Sequence, residues 1–171
     1  MTCSQSHVST MPHLILECPA LDADKRIPLR YAYHGVRGGK NTSLPIRWSG
    51  VPKGVGSYVL TIIDRHPIAR NWVHWCIVNI PSTVTEIPEG ASLNRRILPP
   101  GAAELNNGYG ELGYGGPQPP PGSGVHQYVI TLFAVDDSAL DLRDSNSLDA
   151  CMQRIKGKVL ETAEIVGTFE R

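Results

Sequence analysis

The sequence predicts a β-sandwich with one late helix, and three observations carry that reading. Gly (17) and Pro (14) are spread along all 171 residues and cut the chain into short segments. Several of those segments alternate with a period of two or are continuously apolar and β-branched. One stretch near the end repeats apolar residues at helical spacing instead. Many strands, irregular connections and a single late helix favour packed sheets over a parallel α/β arrangement. No glycine loop opens a helix after a strand, so a nucleotide fold is not indicated.

The elements follow in order. Ile27, Leu29, Tyr31 and Tyr33 alternate with other residues and predict a strand. Ile46 and Trp48 continue that pattern after Pro45. Tyr58 to Ile63 (YVLTII) is nearly all apolar, as expected of a strand buried on both faces. Trp72 to Ile80 (WVHWCIVNI) predicts another strand, with Trp72, His74, Cys76 and Val78 on one face and Val73, Trp75 and Ile77 on the other.

Pro81 to Gly124 is the least regular region, with Pro99-Pro100-Gly101, Gly108-Tyr109-Gly110 and Gly113 to Gly124 (GYGGPQPPPGSG). Flanked by strong strands, a stretch this long reads as a functional loop. His126 to Val135 (HQYVITLFAV) is a strand that puts His126, Tyr128, Ile130 and Leu132 on one face. Leu148, Met152, Ile155 and Val159 predict the amphipathic helix, capped by Asn146 or Ser147 and weakened by Gly157 at a cost of roughly 1 kcal/mol. Ile165 to Phe169 closes the chain as a short strand.

Composition narrows the function. The apolar fraction is 41%, enough for a packed core in one domain over residues 13–171, with 1–12 as a flexible polar segment. Lys plus Arg and Asp plus Glu are both 16. A balanced chain lacks the basic footprint of a nucleic-acid partner and of a polybasic membrane anchor. The apolar stretches are too short to span a bilayer, and no signal-like h-region is visible, so a cytoplasmic location without integral membrane association is expected. Cys3, Cys18, Cys76 and Cys151 form no C-x-x-C pair and read as reduced thiols.

Three polar clusters are candidates for chemistry. Asp64-Arg65-His66-Pro67 follows a buried strand; a turn is the plain reading, a pocket carboxylate the functional one. His74 stands between Trp72 and Trp75, where a histidine is either a satisfied core residue or a ligand-binding one. His126 and Tyr128 are two apart and share a strand face beside the Gly/Pro loop. Together these offer imidazoles, a phenol, a carboxylate and a loop able to expose backbone N–H groups, which is the composition of an oxyanion receptor. A metal site is the competing use of His and Asp, but H-x-H and H-E-x-x-H spacings are missing, which leaves it well behind anion binding. No Ser occupies a G-x-S-x-G elbow and Cys76 lies in an apolar strand, so nucleophilic catalysis is not indicated.

At these clusters the sequence resembles the phosphatidylethanolamine-binding protein family, which includes the Raf kinase inhibitor proteins and bacterial relatives, the type this chain looks most like. Ser43 to Pro52 (SLPIRWSGVP) resembles the family's S-P-x-L-x-W-S-G-V-P segment, and Asp64 the first Asp of D-P-D-A-P. Trp72 to Trp75 (WVHW) with Val78 to Pro81 (VNIP), Gly113 to Pro117 (GYGGP), Gly124 to Tyr128 (GVHQY) and Gly167 to Phe169 (GTF) follow in family order.

The resemblance implies an antiparallel Greek-key sandwich with a small C-terminal helix, and it implies no metal or organic cofactor. It implies a pocket for phosphate or phosphoryl head groups built from Asp64, His74, His126 and Tyr128. The Gly116 to Pro120 loop, with Gly116, Pro117 and Pro120, forms one wall, and His66 and Trp72 stand at the rim. Where the family has its second Asp this chain has His66, so the rim is less negative and anion binding is expected to tighten as pH falls. The expected role is a binding module, not an enzyme, with regulatory or inhibitory use. Alternatives are a protein partner, as in inhibition of a kinase or protease, and a weak hydrolase with a histidine base. A homodimer is compatible with a β domain of this size.

Overall fold

The computed structural model describes residues 13–142 and 146–171. The segment 1–12, with Cys3, lies outside the described residues. The elements are β1 (Ile15–Glu17), β2 (Ile46–Ser49), β3 (Ser57–Asp64), β4 (Trp72–Pro81), β5 (Glu86–Ile87), β6 (Ala103–Glu104), β7 (His126–Val135), α1 (Leu148–Ile155) and β8 (Val159–Phe169). They form two antiparallel sheets, β1-β2-β5 and β6-β4-β3-β7-β8. In the larger sheet the chain runs β3, β4, β6 and then returns to lay β7 beside β3, which is the Greek-key order.

β3 is buried along its whole length because both its faces are covered. Tyr58, Leu60 and Ile62 join Leu16, Ile46, Trp48 and Ile87 in the core between the sheets. Val59 joins Cys76, Val78, Cys151 and Ile155 in a second core under α1. That is why the segment reads as an unbroken apolar run instead of alternating. Each such side chain contributes about 1.5–3 kcal/mol on burial.

Three expectations are corrected. The alternation of Ile27 to Tyr33 is not a strand: Leu29–Tyr31 is a 3-10 turn, closed by Tyr31 N donating to Pro28 O at 3.0 Å and Ala32 N to Leu29 O at 3.0 Å. Pro28 has no N–H for a ladder, so extended pairing stops after Arg26 bridges Thr168 and Ile27 N donates to Thr168 O at 2.8 Å.

In α1 the buried residues are Cys151 and Ile155, while Met152 is exposed and Val159 already opens β8. Gly157, at φ +78°, lies beyond the helix in the turn into β8, a conformation only glycine adopts without strain. Ser147 is the N-cap, its side chain accepting from Ala150 N at 3.3 Å.

The third correction positions the site. Strict alternation along β4 fails because Ile62 pairs with Trp75 and Ile63 with Val73, which leaves His74 as an extra residue. A second shift separates Ile77, opposite Leu60, from Ile80, opposite Tyr58. Trp75, Ile77 and Ile80 therefore face the small sheet, and Cys76 and Val78 face α1. The bulge turns His74 away from Cys76 and onto the face of Tyr128, their ring centroids 4.9 Å apart.

Candidate functional site

The ends of β3, β4 and β7 meet at one edge of the larger sheet. Asp64, the last residue of β3, pairs with Trp72 on one side and Tyr128 on the other. These positions, with His74 and His126, line a cavity of about 270 Å³ that also takes in Ile68, Ala69, Tyr109, Gln118, Pro119 and Pro120. The sequence-predicted Asp64, His74, His126, Tyr128, Pro120 and Trp72 are thus brought together.

Gly116 and Pro117 do not line the cavity. They form the wall's foundation: a Cβ on Gly116 would meet Tyr31 O at 2.1 Å, and Pro117 O accepts from Tyr33 N at 3.0 Å. Backbone packed that closely faces the interior, so the wall proper is Gln118, Pro119 and Pro120. His66 also stands outside the lining. Its ring stacks on His126, centroids 3.9 Å apart, while its N–H donates to Asp64 Oδ1 at 2.8 Å.

His74 Nδ1 lies 2.6 Å from the Gly115 carbonyl, which only accepts, so Nδ1 carries the hydrogen. Gly115 N in turn donates to His74 O at 2.8 Å, which fixes the loop to β4 through both backbone and ring. Burial lowers His74 to about 4, against the opposing pull of the Gly115 carbonyl and the Asp64 charge. The ring is neutral at pH 7 and Nε2 holds a lone pair.

Tyr128 presents a buried hydroxyl with no hydrogen-bond partner among the described residues, and burial pushes its phenol far above the ordinary range. Most buried polar groups are paired, so an unpaired one at a cavity asks for an occupant.

Ser123, His126 and Asp64 stand in line. His126 Nδ1 is 2.6 Å from Asp64 Oδ2, and His126 Nε2 is 2.9 Å from Ser123 Oγ. The arrangement has the order of a nucleophile, base and orienting acid, but the serine is turned the other way. Its Oγ donates to Pro120 O at 2.6 Å, so it accepts from Nε2 and is not activated by it. With Nε2 donating, the second proton lies between Nδ1 and Oδ2. The pair is neutral overall whichever atom holds it, and neither ring nitrogen is free for a ligand.

The mouth is apolar and aromatic. Trp72 is 39% exposed and meets the edge of Tyr109, whose hydroxyl donates to Gly116 O at 3.0 Å. Gly108 makes room for the Trp72 indole, since a Cβ there would lie 2.5 Å from it. Tyr109, Gln118 and Ser123 were not legible as site residues, because their places depend on how the loop folds back over β4 and β7. Only the three-residue spacing of Ser123 from His126 gave a local hint. Among the described residues no cluster of three or more His, Cys, Asp or Glu could hold a metal ion, and no helix is long and apolar enough to cross a membrane.

Comparison with known proteins places these features. A family model described as phosphatidylethanolamine-binding protein matches residues 18–170. A UPF0098 protein of Methanothermobacter thermautotrophicus is 37% identical over 156 residues, covering 91% of this chain and 98% of its own length. The UPF0098 protein YbcL of Escherichia coli is 38% identical over 139 residues, covering 80% and 75%. The crystal structure of Escherichia coli YbcL, described as a new member of the mammalian PEBP family, superposes with TM-score 0.83 at 32% identity over 93% of this chain and 99% of that one. The Chlamydia trachomatis protein CT736 gives TM-score 0.77 at 28% identity, over 94% and 99%.

Proposed function

The chain belongs to the phosphatidylethanolamine-binding protein family, and from that premise we propose that its cavity binds a small phosphate-type anion, free or as a head group, as a binding module and not as a catalyst. The observation that carries this reading is the meeting, in one cavity, of the neutral His74 ring with Tyr128, whose buried hydroxyl has no hydrogen-bond partner among the described residues. A phenol there is a ready donor to an oxyanion and costs about 1–3 kcal/mol while it goes unpaired. The volume of about 270 Å³ suits a small ligand. The hydroxyl of Ser123, committed to Pro120, supports binding over turnover.

The test is calorimetric titration of inorganic phosphate into the full chain and into His74→Ala. Saturable binding that weakens at least about tenfold in the variant is expected, since hydrogen bonds involving charge contribute about 1.5–3 kcal/mol. Unchanged affinity in the variant would end this reading.

A further inference from the structure

We propose that the cavity takes a phosphate monoester, or phosphate itself, as the protonated monoanion, and rejects anions of the same shape and charge that carry no hydrogen. This rests on the anion-binding reading above and specifies its ligand.

The argument is an inventory of hydrogen-bonding capacity at the polar floor. Asp64 Oδ1 accepts from His66 N and Asp64 Oδ2 faces His126 Nδ1. His126 Nε2 is taken by Ser123 Oγ. The Tyr109 hydroxyl is taken by Gly116 O. Among the described residues, two polar atoms of the floor make no hydrogen bond at all: His74 Nε2 and the Tyr128 hydroxyl, the latter with almost no exposed surface, on rings whose centroids are 4.9 Å apart. With Nδ1 donating to Gly115 O, His74 Nε2 is an acceptor, so it repels a bare oxyanion and attracts a P–O–H. Tyr128 O–H donates to another oxygen of the same group. The Gln118 side-chain amide at the wall carries both a donor and an acceptor and selects neither.

Charge points the same way. The groups that face His74 are Asp64 from β3, His126 and Tyr128 from β7, Tyr109 from the loop and Trp72 on its own strand. Asp64 and His126 neutralise each other, and the rest carry no charge at neutral pH. Either form enters without a counter-charge, and the desolvation cost rises steeply with charge, so the dianion is the more disfavoured. Burial keeps the His74 ring neutral down to about 4, so Nε2 remains an acceptor through the neutral range. A site that hydrogen-bonds a ligand hydroxyl rejects the analogue without it strongly, because its own buried polar atoms are then left unpaired.

The probes are methyl phosphate and methyl sulfate, titrated into the full chain at pH 5.5 and pH 8, with proton exchange counted from buffers of different ionisation enthalpy. Both are mainly monoanions at pH 5.5, and only the phosphate carries an acidic O–H. The second ionisation of a phosphate monoester falls near 6, so its affinity should drop roughly 75-fold from pH 5.5 to pH 8. Binding at pH 8 should take up about one proton, and binding at pH 5.5 only a small fraction of one. Methyl sulfate should bind about 100-fold more weakly than methyl phosphate at pH 5.5. Tyr128→Phe, which fills the same space, should weaken methyl phosphate about tenfold. Equal affinity for the two probes, or methyl phosphate affinity unchanged between the two pH values, overturns the inference and leaves anion binding standing. Failure of both probes to bind at either pH overturns both readings.

Discussion

Asp64 Oδ2 and His126 Nδ1 lie 2.6 Å apart, at the adjoining ends of β3 and β7, with both side chains almost completely buried. The pair is set by register. Asp64 stands opposite Tyr128, and His126 is two residues along the same face of β7. It joins the strand that carries the carboxylate to the strand that carries the phenol, and it holds His126 between Asp64 and Ser123.

Breaking this pair from one side should be costly. Asp64→Asn replaces the carboxylate that shares a proton with His126 by a neutral amide, and losing a charge-assisted hydrogen bond costs about 1.5–3 kcal/mol. Chemical denaturation at pH 7 measures it. In Asp64→Asn/His126→Gln the loss should be smaller than the sum of the two single losses, because the residues share one interaction.

His74 makes stability depend on pH. Its folded value of about 4 lies below the ordinary 6.5. Above 6.5 both folded and unfolded chains hold it neutral, and it contributes nothing to the slope. Between 6.5 and 4 the unfolded chain gains a proton that the folded chain refuses, so stability is lost as pH falls. The full loss is roughly 3 kcal/mol. Urea melts across this window should show the decline, and His74→Gln should flatten it.

How much of this was readable beforehand depends on the range over which each feature is determined. The buried strand β3, the bounds of β7 and the shared face of His126 and Tyr128 follow from local pattern. The face of His74 does not. Alternation groups it with Cys76, and only the pairing of Ile62 with Trp75 and Ile63 with Val73 exposes the bulge that turns it to the cavity. The tyrosines of 27–33 misled in the same way, because a period of two cannot foresee that Pro28 ends the ladder. Tyr109 and Gln118 reach the site through a loop whose path is set by long-range bonds, such as Asn41 Oδ1 accepting from Gly116 N at 2.6 Å. No spacing in the sequence encodes that.

Gly116 should tolerate no side chain. A Cβ there would meet Tyr31 O at 2.1 Å and Tyr33 N at 2.6 Å, and both are backbone atoms that cannot swing aside. Gly116→Ala is expected to destabilise by about 1–3 kcal/mol through overpacking. It should also loosen anion binding, because the adjacent Gly115 carbonyl fixes the His74 ring. Thermal melts and phosphate titration of the same variant test the two effects; a variant as stable as the parent would show that the loop yields more easily than its contacts imply.

Tyr128→Phe should behave in the opposite sense from Asp64→Asn. The hydroxyl it removes is buried and has no partner among the described residues, whereas the ring that remains still packs against His74. Deleting an unpaired buried donor removes a desolvation cost, so the variant should be as stable as the parent or more stable by about 1 kcal/mol. The same change should weaken phosphate binding. Stability maintained while affinity falls is what distinguishes a group kept for a ligand from one kept for the fold. Paired denaturation and titration curves decide it: a Tyr128→Phe chain that lost stability and kept its affinity would assign the hydroxyl to the fold.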